Sequence, residues 1–349
     1  MSRSKKKKNV PSIKFIRSIP SLIFMFLSPP ILCLIIFLPN STNSYANNNI
    51  VIGQNEHFVV LYVRKYQSLQ QLAADYLGDS RLTWIIEKAN NVKNIAKDQE
   101  IIIPLKTIPG QFSPSGYQVV PILIYHRFGK DANKMTVTPK AFEDQLQLLN
   151  QQNYTVIPLL HLQEFLLGKR TLPKKAVVIT IDDGYQSVYH LARPLIEKYQ
   201  VPVTLFLYSD YINRGGLTHQ QIRELKTTGL ISIQAHSKTH ANLSHQRPDE
   251  SKQTYRKRLQ LEVDHPKHFI HQKLGGNIGS FAYPYGDFNR QVVDQVRHSH
   301  YQLGLTVSSG ENAIFTSPWV LRRKQVLGNH DLAHFQTLLT TYHHRSNSP

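Results

Sequence analysis

The sequence predicts an α/β protein: a distorted (β/α) barrel of about seven strands, preceded by a small β-α-α-β domain. Two observations carry this expectation. From Val119 onward, short apolar runs alternate with amphipathic segments, the pattern of a parallel sheet wrapped by helices. Four of the runs also end on polar groups: Tyr125-His126, Thr180-Ile181-Asp182-Asp183-Gly184, His236-Ser237-Lys238-Thr239-His240 and Tyr283-Pro284-Tyr285-Gly286. Active sites of α/β barrels are assembled at the C-terminal ends of the strands. These four endings are therefore the candidate site.

The first 20 residues carry seven Lys or Arg and no acid, and Ser21 to Leu38 is almost wholly apolar. Ser44-Tyr45-Ala46 then offers small residues for a cleavage site, so residues 1–46 read as an export signal. An uncleaved membrane anchor is the alternative, although Pro29-Pro30 would kink such a span. In either case the functional part lies outside the cytoplasm, in the periplasm or at the cell surface, and membrane contact is confined to this segment. The single cysteine, Cys33, falls inside the apolar run, so the rest of the chain has neither disulfides nor thiol chemistry. Subtracting the seven leader charges from a net charge of +18 leaves +11, which favours anionic envelope surfaces. Nucleic acid is not expected, because no basic stripe is interleaved with aromatics.

Residues 57–106 form a compact unit. His57 to Val63 alternates like a strand, and Ser68 to Gly78 has an N-cap, helical apolar spacing and a terminal glycine. Trp84 to Asn90 predicts a second helix and Gln99 to Pro104 a closing strand. The order, with Tyr62-x-Val start, Gly78-Asp79, Trp84, the Asn90-Asn91 turn and the Ile-x-Ile-Pro close, resembles a LysM domain. It departs from that pattern at Tyr66-Gln67, where Gly-Asp is usual. The resemblance implies binding of peptidoglycan or a chitin-like glycan; a small packing module without glycan affinity is the alternative. Residues 107–118, with two Pro and two Gly, read as a linker that lets the two units work independently.

Residues 119–349 then supply the barrel. Expected strands are Val119 to Tyr125, Ala176 to Ile181, Val203 to Tyr208, Ile231 to Gln234, Ser280 to Tyr283, Leu303 to Val307 and Leu321 to Val326. Helices are expected at Ala141 to Leu149 and Ser187 to Tyr199. Thr218-His219-Gln220-Gln221 forms a capping box for a further helix, ending at Gly229.

Asp182-Asp183-Gly184 alone could be a turn. Adjacent carboxylates at a strand end repel one another, however, and a bound cation relieves that repulsion. An i,i+4 His pair is not specific in a chain with 17 His. His330 and His334 form such a pair on a C-terminal helix and read as surface, as do His265, His268 and His271 on a long polar helix. His236 and His240 differ because they directly follow a strand. With Asp183 they supply a two-His, one-carboxylate set with open positions for water and a substrate carbonyl.

Thr-Ile-Asp-Asp-Gly, His-Ser-x-x-His and Phe-Ala-Tyr-Pro-Tyr-Gly, in this order, resemble the polysaccharide deacetylases of the NodB-homology type. The resemblance spans about Val119 to Leu339. It implies that Asp183, His236 and His240 bind one divalent metal, usually zinc, and that Asp182 is the general base. The Tyr285 N–H would hold an oxyanion, with Tyr125, Tyr283 and Pro284 near the substrate. Two departures matter: Ala282 stands in the region where most members have Arg, and a late Leu-x-His motif is absent. The subgroup acting on exported poly-N-acetylglucosamine shares both departures. By that resemblance Tyr125-His126 supplies the general acid, His126, while Arg322 or Arg323 takes the place of the missing Arg beside Asp182. Arg322 is taken as the catalytic one. The implied substrate is a polysaccharide containing N-acetylglucosamine, either peptidoglycan or poly-N-acetylglucosamine. Rival readings are another metal-dependent amidase of the envelope and an inactive glycan-binding protein. A zincin would need Glu between the two His, and there is none; intact Asp182, Asp183, His236 and His240 weigh against inactivity.

Overall fold

The computed structural model describes residues 49–54, 58–64, 67–105, 112–113, 116–314 and 316–344. The leader, 1–46, and most of the linker lie outside these residues. No helix among the described residues is long and apolar enough to cross a membrane.

The small unit is a three-stranded antiparallel sheet, Ile50–Gln54, Phe58–Val63 and Gln99–Pro104, carrying helices Leu69–Leu77 and Thr83–Asn90. The first strand adds to the expected β-α-α-β order. Ser68 caps the first helix by accepting from the Gln71 N–H, and Gly78 ends it at φ 76°. Asn90 grips the Ile102 peptide from both sides, donating to its carbonyl and accepting from its N–H, each at 2.7 Å. Alternate residues Val59, Leu61, Val63, Ile101 and Ile103 point into the core with Leu72 and Ile86, as the strand period of two requires.

The barrel runs Leu303–Leu305, Ser280–Ala282, Ile231–Ala235, Val203–Leu207, Ala176–Ile181, Ile122–Tyr125 and Lys324–Gln325, with every adjacent pair parallel. A bridge between Leu305 and Leu321 links the two ends of the row, and Thr155–Val156 pairs alongside Ala176–Val177. Seven strands thus match the expected number. The central strand Ala176–Ile181 is buried along its whole length, so it reads as a continuous apolar run rather than an alternating one.

Two expected elements differ. Val119 to Tyr125 is not one strand, because Pro121 has no N–H to continue the ladder. Gly116–Val120 instead pairs antiparallel with Asn312–Ala313 and Tyr342–His344, while Ile122–Tyr125 enters the barrel. The segment read as a linker therefore already contains strand at Phe112–Ser113 and from Gly116 onward. The two units also share a buried contact. Trp84 of the small unit stacks on Tyr117 at 5.6 Å and 8°, and both rings are buried with Ile85, Val119 and Ala313.

Candidate active site

Asp182 and Asp183 leave the end of Ala176–Ile181 through a tight turn. Asp183 has φ 75° and Gly184 φ 81°, and a Cβ on Gly184 would collide with the Leu207 side chain. Asp183 therefore occupies a left-handed conformation that a non-glycine residue adopts at a cost, as functional residues often do. The strand Ile231–Ala235, separated from Ala176–Ile181 by Val203–Leu207, delivers His236, which is fully buried. Its Nδ1 lies 2.8 Å from the Ala282 carbonyl. That carbonyl can only accept, so Nδ1 carries the proton and Nε2 presents a lone pair to the cavity.

Ser237 and His240 also have positive φ, at 70° and 62°, and the His240 N–H donates to Ser237 Oγ. This turn brings the second imidazole back beside the first. His236 Nε2 and His240 Nε2 lie 3.4 and 3.3 Å from Asp183 Oδ1, and the three candidate ligand atoms are within 4.8 Å of one another. Asp183 Oδ1 is buried and accepts no hydrogen bond. A buried carboxylate oxygen without a donor, facing two imidazole nitrogens, fits the donor set that a divalent metal takes. Burial alone would raise the Asp183 carboxyl, but the two imidazoles outweigh it and hold it well below the usual carboxylate range.

Asp182 is fully buried, its Oδ2 3.8 Å from His236 Nε2. Arg323 donates through both terminal nitrogens to its two oxygens, at 2.8 and 2.7 Å, and through Nε to the Thr306 carbonyl. Burial would raise the Asp182 carboxyl, yet Arg323 and then His236 reverse this and keep it below its ordinary value. It is an ionised carboxylate at neutral pH. The partner is thus Arg323 and not Arg322, which is a correction. The adjacent Arg322 is exposed and turns outward, its side chain lying over Gly310.

Asp182, Asp183, His236 and His240 line a cavity of about 450 Å³ that also includes His126, Met135, Tyr185, Tyr283, Tyr285 and Gln325. His126 is half-buried; burial pushes its imidazole below the ordinary value, and Asp182 and Asp183 pull the other way. Tyr285 is exposed and sits at φ 61° against the His240 ring, 4.7 Å away. Gly286 follows at φ 75°, where a Cβ would meet the Val307 amide nitrogen at 2.5 Å, so the Pro-Tyr-Gly turn needs glycine. Tyr208 packs on the other side of His240 at 5.2 Å, in a stack with Tyr211.

Of the three residues expected near the substrate, Tyr283 borders the cavity and Tyr125 and Pro284 do not. Tyr125 is fully buried and its hydroxyl donates to Gln145, so it is a core residue. Tyr283 borders the cavity, but its ring is buried and its hydroxyl donates to the Trp319 carbonyl. Pro284 is buried and shapes the turn that exposes Tyr285. Sequence reasoning missed Tyr185, Met135 and Gln325. Tyr185 directly follows Asp-Asp-Gly and could have been found there; Met135 and Gln325 carry no local signal. His330 and His334 sit together, ring centroids 3.8 Å apart, at the helix Leu332–Thr337, and neither is among the cavity residues.

Paired carboxylates and paired imidazoles at the C-terminal ends of parallel strands define the class as an α/β-barrel hydrolase. Residues 169–304 match the family model described as polysaccharide deacetylase. A poly-β-1,6-N-acetyl-D-glucosamine N-deacetylase of Staphylococcus epidermidis is 27% identical over 220 residues, covering 60% of this chain and 73% of that one. The Escherichia coli (strain K12) protein of the same name is 24% identical over 216 residues, covering 52% of this chain and 32% of its own length. The structure of the Streptococcus pyogenes deacetylase PplD in complex with acetate superposes with a TM-score of 0.57 at 25% identity, covering 64% of this chain and 98% of that one. Residues 169–304 therefore carry a polysaccharide deacetylase domain. His126 and Arg323 both lie outside the span that the family model matches.

Proposed function

We propose that this protein removes N-acetyl groups from the N-acetylglucosamine units of an exported polysaccharide, with poly-β-1,6-N-acetylglucosamine as the first substrate to test. The observation that carries this reading is a pair of residues outside the common motifs: His126, which follows the first barrel strand and lines the cavity, and Arg323, which precedes the last strand and pairs with Asp182. The named relatives add to it.

Asp183, His236 and His240 fit one divalent metal, zinc by their nitrogen-rich donor set. When bound, such an ion polarises the acetamide carbonyl and lowers the pKa of water. Asp182, kept ionised by Arg323, accepts the proton as the water oxygen bonds to the carbonyl carbon. The Tyr285 N–H stabilises the oxyanion that develops. His126 gives a proton to the amine nitrogen as the C–N bond breaks, leaving acetate and a glucosamine unit. Burial lowers the His126 pKa, which makes the protonated imidazole a willing donor.

The leader, residues 1–46, supports export, with membrane contact limited to that segment. The small unit, residues 57–106, supports a second role as a LysM-like anchor on peptidoglycan or a chitin-like glycan, which would make peptidoglycan the alternative substrate. Acetate release should be measured side by side on poly-β-1,6-N-acetylglucosamine, peptidoglycan and chitin oligomers. Release from the first above the other two is expected. No release from any of them, by protein loaded with zinc, overturns the proposal in favour of an inactive glycan-binding protein.

A further inference from the structure

Glu262 lies in the middle of the long helix Lys252–Leu274, on the stripe that buries Tyr255, Leu259, Val263, Pro266 and Ile270. A carboxylate among these apolar residues is only 4% exposed. Burying a charge there is costly unless hydrogen bonds replace its water. They do, and all three come from one loop. Oε2 accepts from the Lys238 and Thr239 N–H groups at 3.0 and 2.9 Å, and Oε1 accepts from the Thr239 hydroxyl at 2.6 Å.

This loop is the Ser237-Lys238-Thr239 segment between the two imidazoles. From its other side, the Asp210 N–H donates to the Lys238 carbonyl at 2.9 Å and the Ser209 N–H to the Ser237 carbonyl at 3.2 Å. The segment is thus held through its carbonyls by one strand end and through its amides by a single side chain. Both residues with positive φ, Ser237 and His240, flank the two amides that Glu262 holds. Those conformations are disfavoured for non-glycine residues and persist only when the surroundings over-determine them.

We propose that Glu262 is a positioning residue that holds His240 Nε2 opposite His236 Nε2 and Asp183 Oδ1, so that the three form a metal site before any ion arrives. This rests on the metal reading above. Without the carboxylate, the two amides lose their acceptor and the turn relaxes toward ordinary φ values. His240 then swings out of register, while His236 stays fixed by the Ala282 carbonyl. Loss of such a supporting group typically weakens metal affinity by about 10–100-fold.

The test is zinc affinity of the full chain, measured by competition with a chromophoric chelator, alongside thermal unfolding of the metal-free protein. Glu262→Ala should bind zinc about 10–100-fold more weakly at a temperature where far-UV circular dichroism shows it folded. Thr239→Val removes only the hydroxyl bond and should give a smaller loss in the same direction; it carries the test if Glu262→Ala does not fold. A purely structural role would lower the melting temperature and leave the zinc affinity of the folded protein unchanged. That result, in either folded variant, overturns the inference. Wild-type protein that takes up no zinc overturns the metal reading itself.

Discussion

Arg323 closes a two-point fork on Asp182, nitrogen to oxygen at 2.8 and 2.7 Å, with both side chains fully buried. The arrangement holds a carboxylate ionised where burial alone would protonate it. Removing one partner leaves the other charged and unpaired, which is strongly destabilising. Arg323→Met should therefore lose about 3–5 kcal/mol in urea denaturation and most of its deacetylase activity. Arg322→Ala should be close to wild type in both. A larger activity loss for Arg322→Ala than for Arg323→Met would restore Arg322 as the partner.

The two adjacent aspartates should separate cleanly on mutation. Asp182→Asn should keep its metal and lose turnover, since an amide cannot accept the proton of water. Asp183→Asn and His236→Ala should lose metal, because each removes one donor from a three-donor site. Metal content by mass spectrometry of the purified variants checks this. Metal lost from Asp182→Asn and kept by Asp183→Asn would reverse the two roles.

His126→Ala should lower acetate release by about two to four orders of magnitude while leaving metal content unchanged. The loss should shrink on acetyl esters, whose alkoxide leaves more readily than an amine. His330→Ala and His334→Ala are the controls, expected to be silent because neither borders the cavity. Normal deacetylation by His126→Ala, with a large loss in a control, would move the acid to the C-terminal region.

Trp84 ties the small unit to the barrel through its stack on Tyr117. Trp84→Ala should cost about 3 kcal/mol, as for other buried aromatics. Deleting residues 49–105 should lower the melting temperature of the barrel, since Tyr117, Val119 and Ala313 lose their cover. A melting temperature unchanged by the deletion would show that the two units fold and act separately.

Glu311 joins three segments by pairing with Lys324 at 2.8 Å and His343 at 3.3 Å. Burial would raise its carboxyl, but the bonds from His343 and Lys324 outweigh that and bring it from 4.5 to about 2. A depressed carboxylate stabilises the fold above its unfolded pKa, and that contribution fades as pH falls through the folded one. At pH 7, Glu311→Gln should be about 2 kcal/mol less stable than wild type. The gap should close between pH 4.5 and about 2. Urea midpoints of the two proteins at pH 7, 4.5 and 2.5 would check this; a gap that stayed constant would exclude the ion pairs as its source.

The chain sequence by itself determined the strand-and-helix alternation and the parts of the site built from neighbours in sequence. Asp182 and Asp183 are adjacent, and His236 and His240 are four apart on one turn, so a single strand end places each pair. The barrel then needs only to bring together the ends of two strands that have Val203–Leu207 between them. What the tertiary structure decided was everything that depends on distant residues or on which way a strand residue points. Arg323 reaches Asp182 across 141 residues of sequence, and its choice over Arg322 turns on which of two adjacent residues points inward just before the short strand Lys324–Gln325. Tyr125 and His126 are divided in the same way, one to the core and one to the cavity. Pro121 split a run that looked continuous, and Trp84 met Tyr117 across a stretch whose composition reads as a linker. Local spacing carries the chemistry of each strand end, whereas burial and charge pairing belong to the closed barrel, because they exist only once the strands have met.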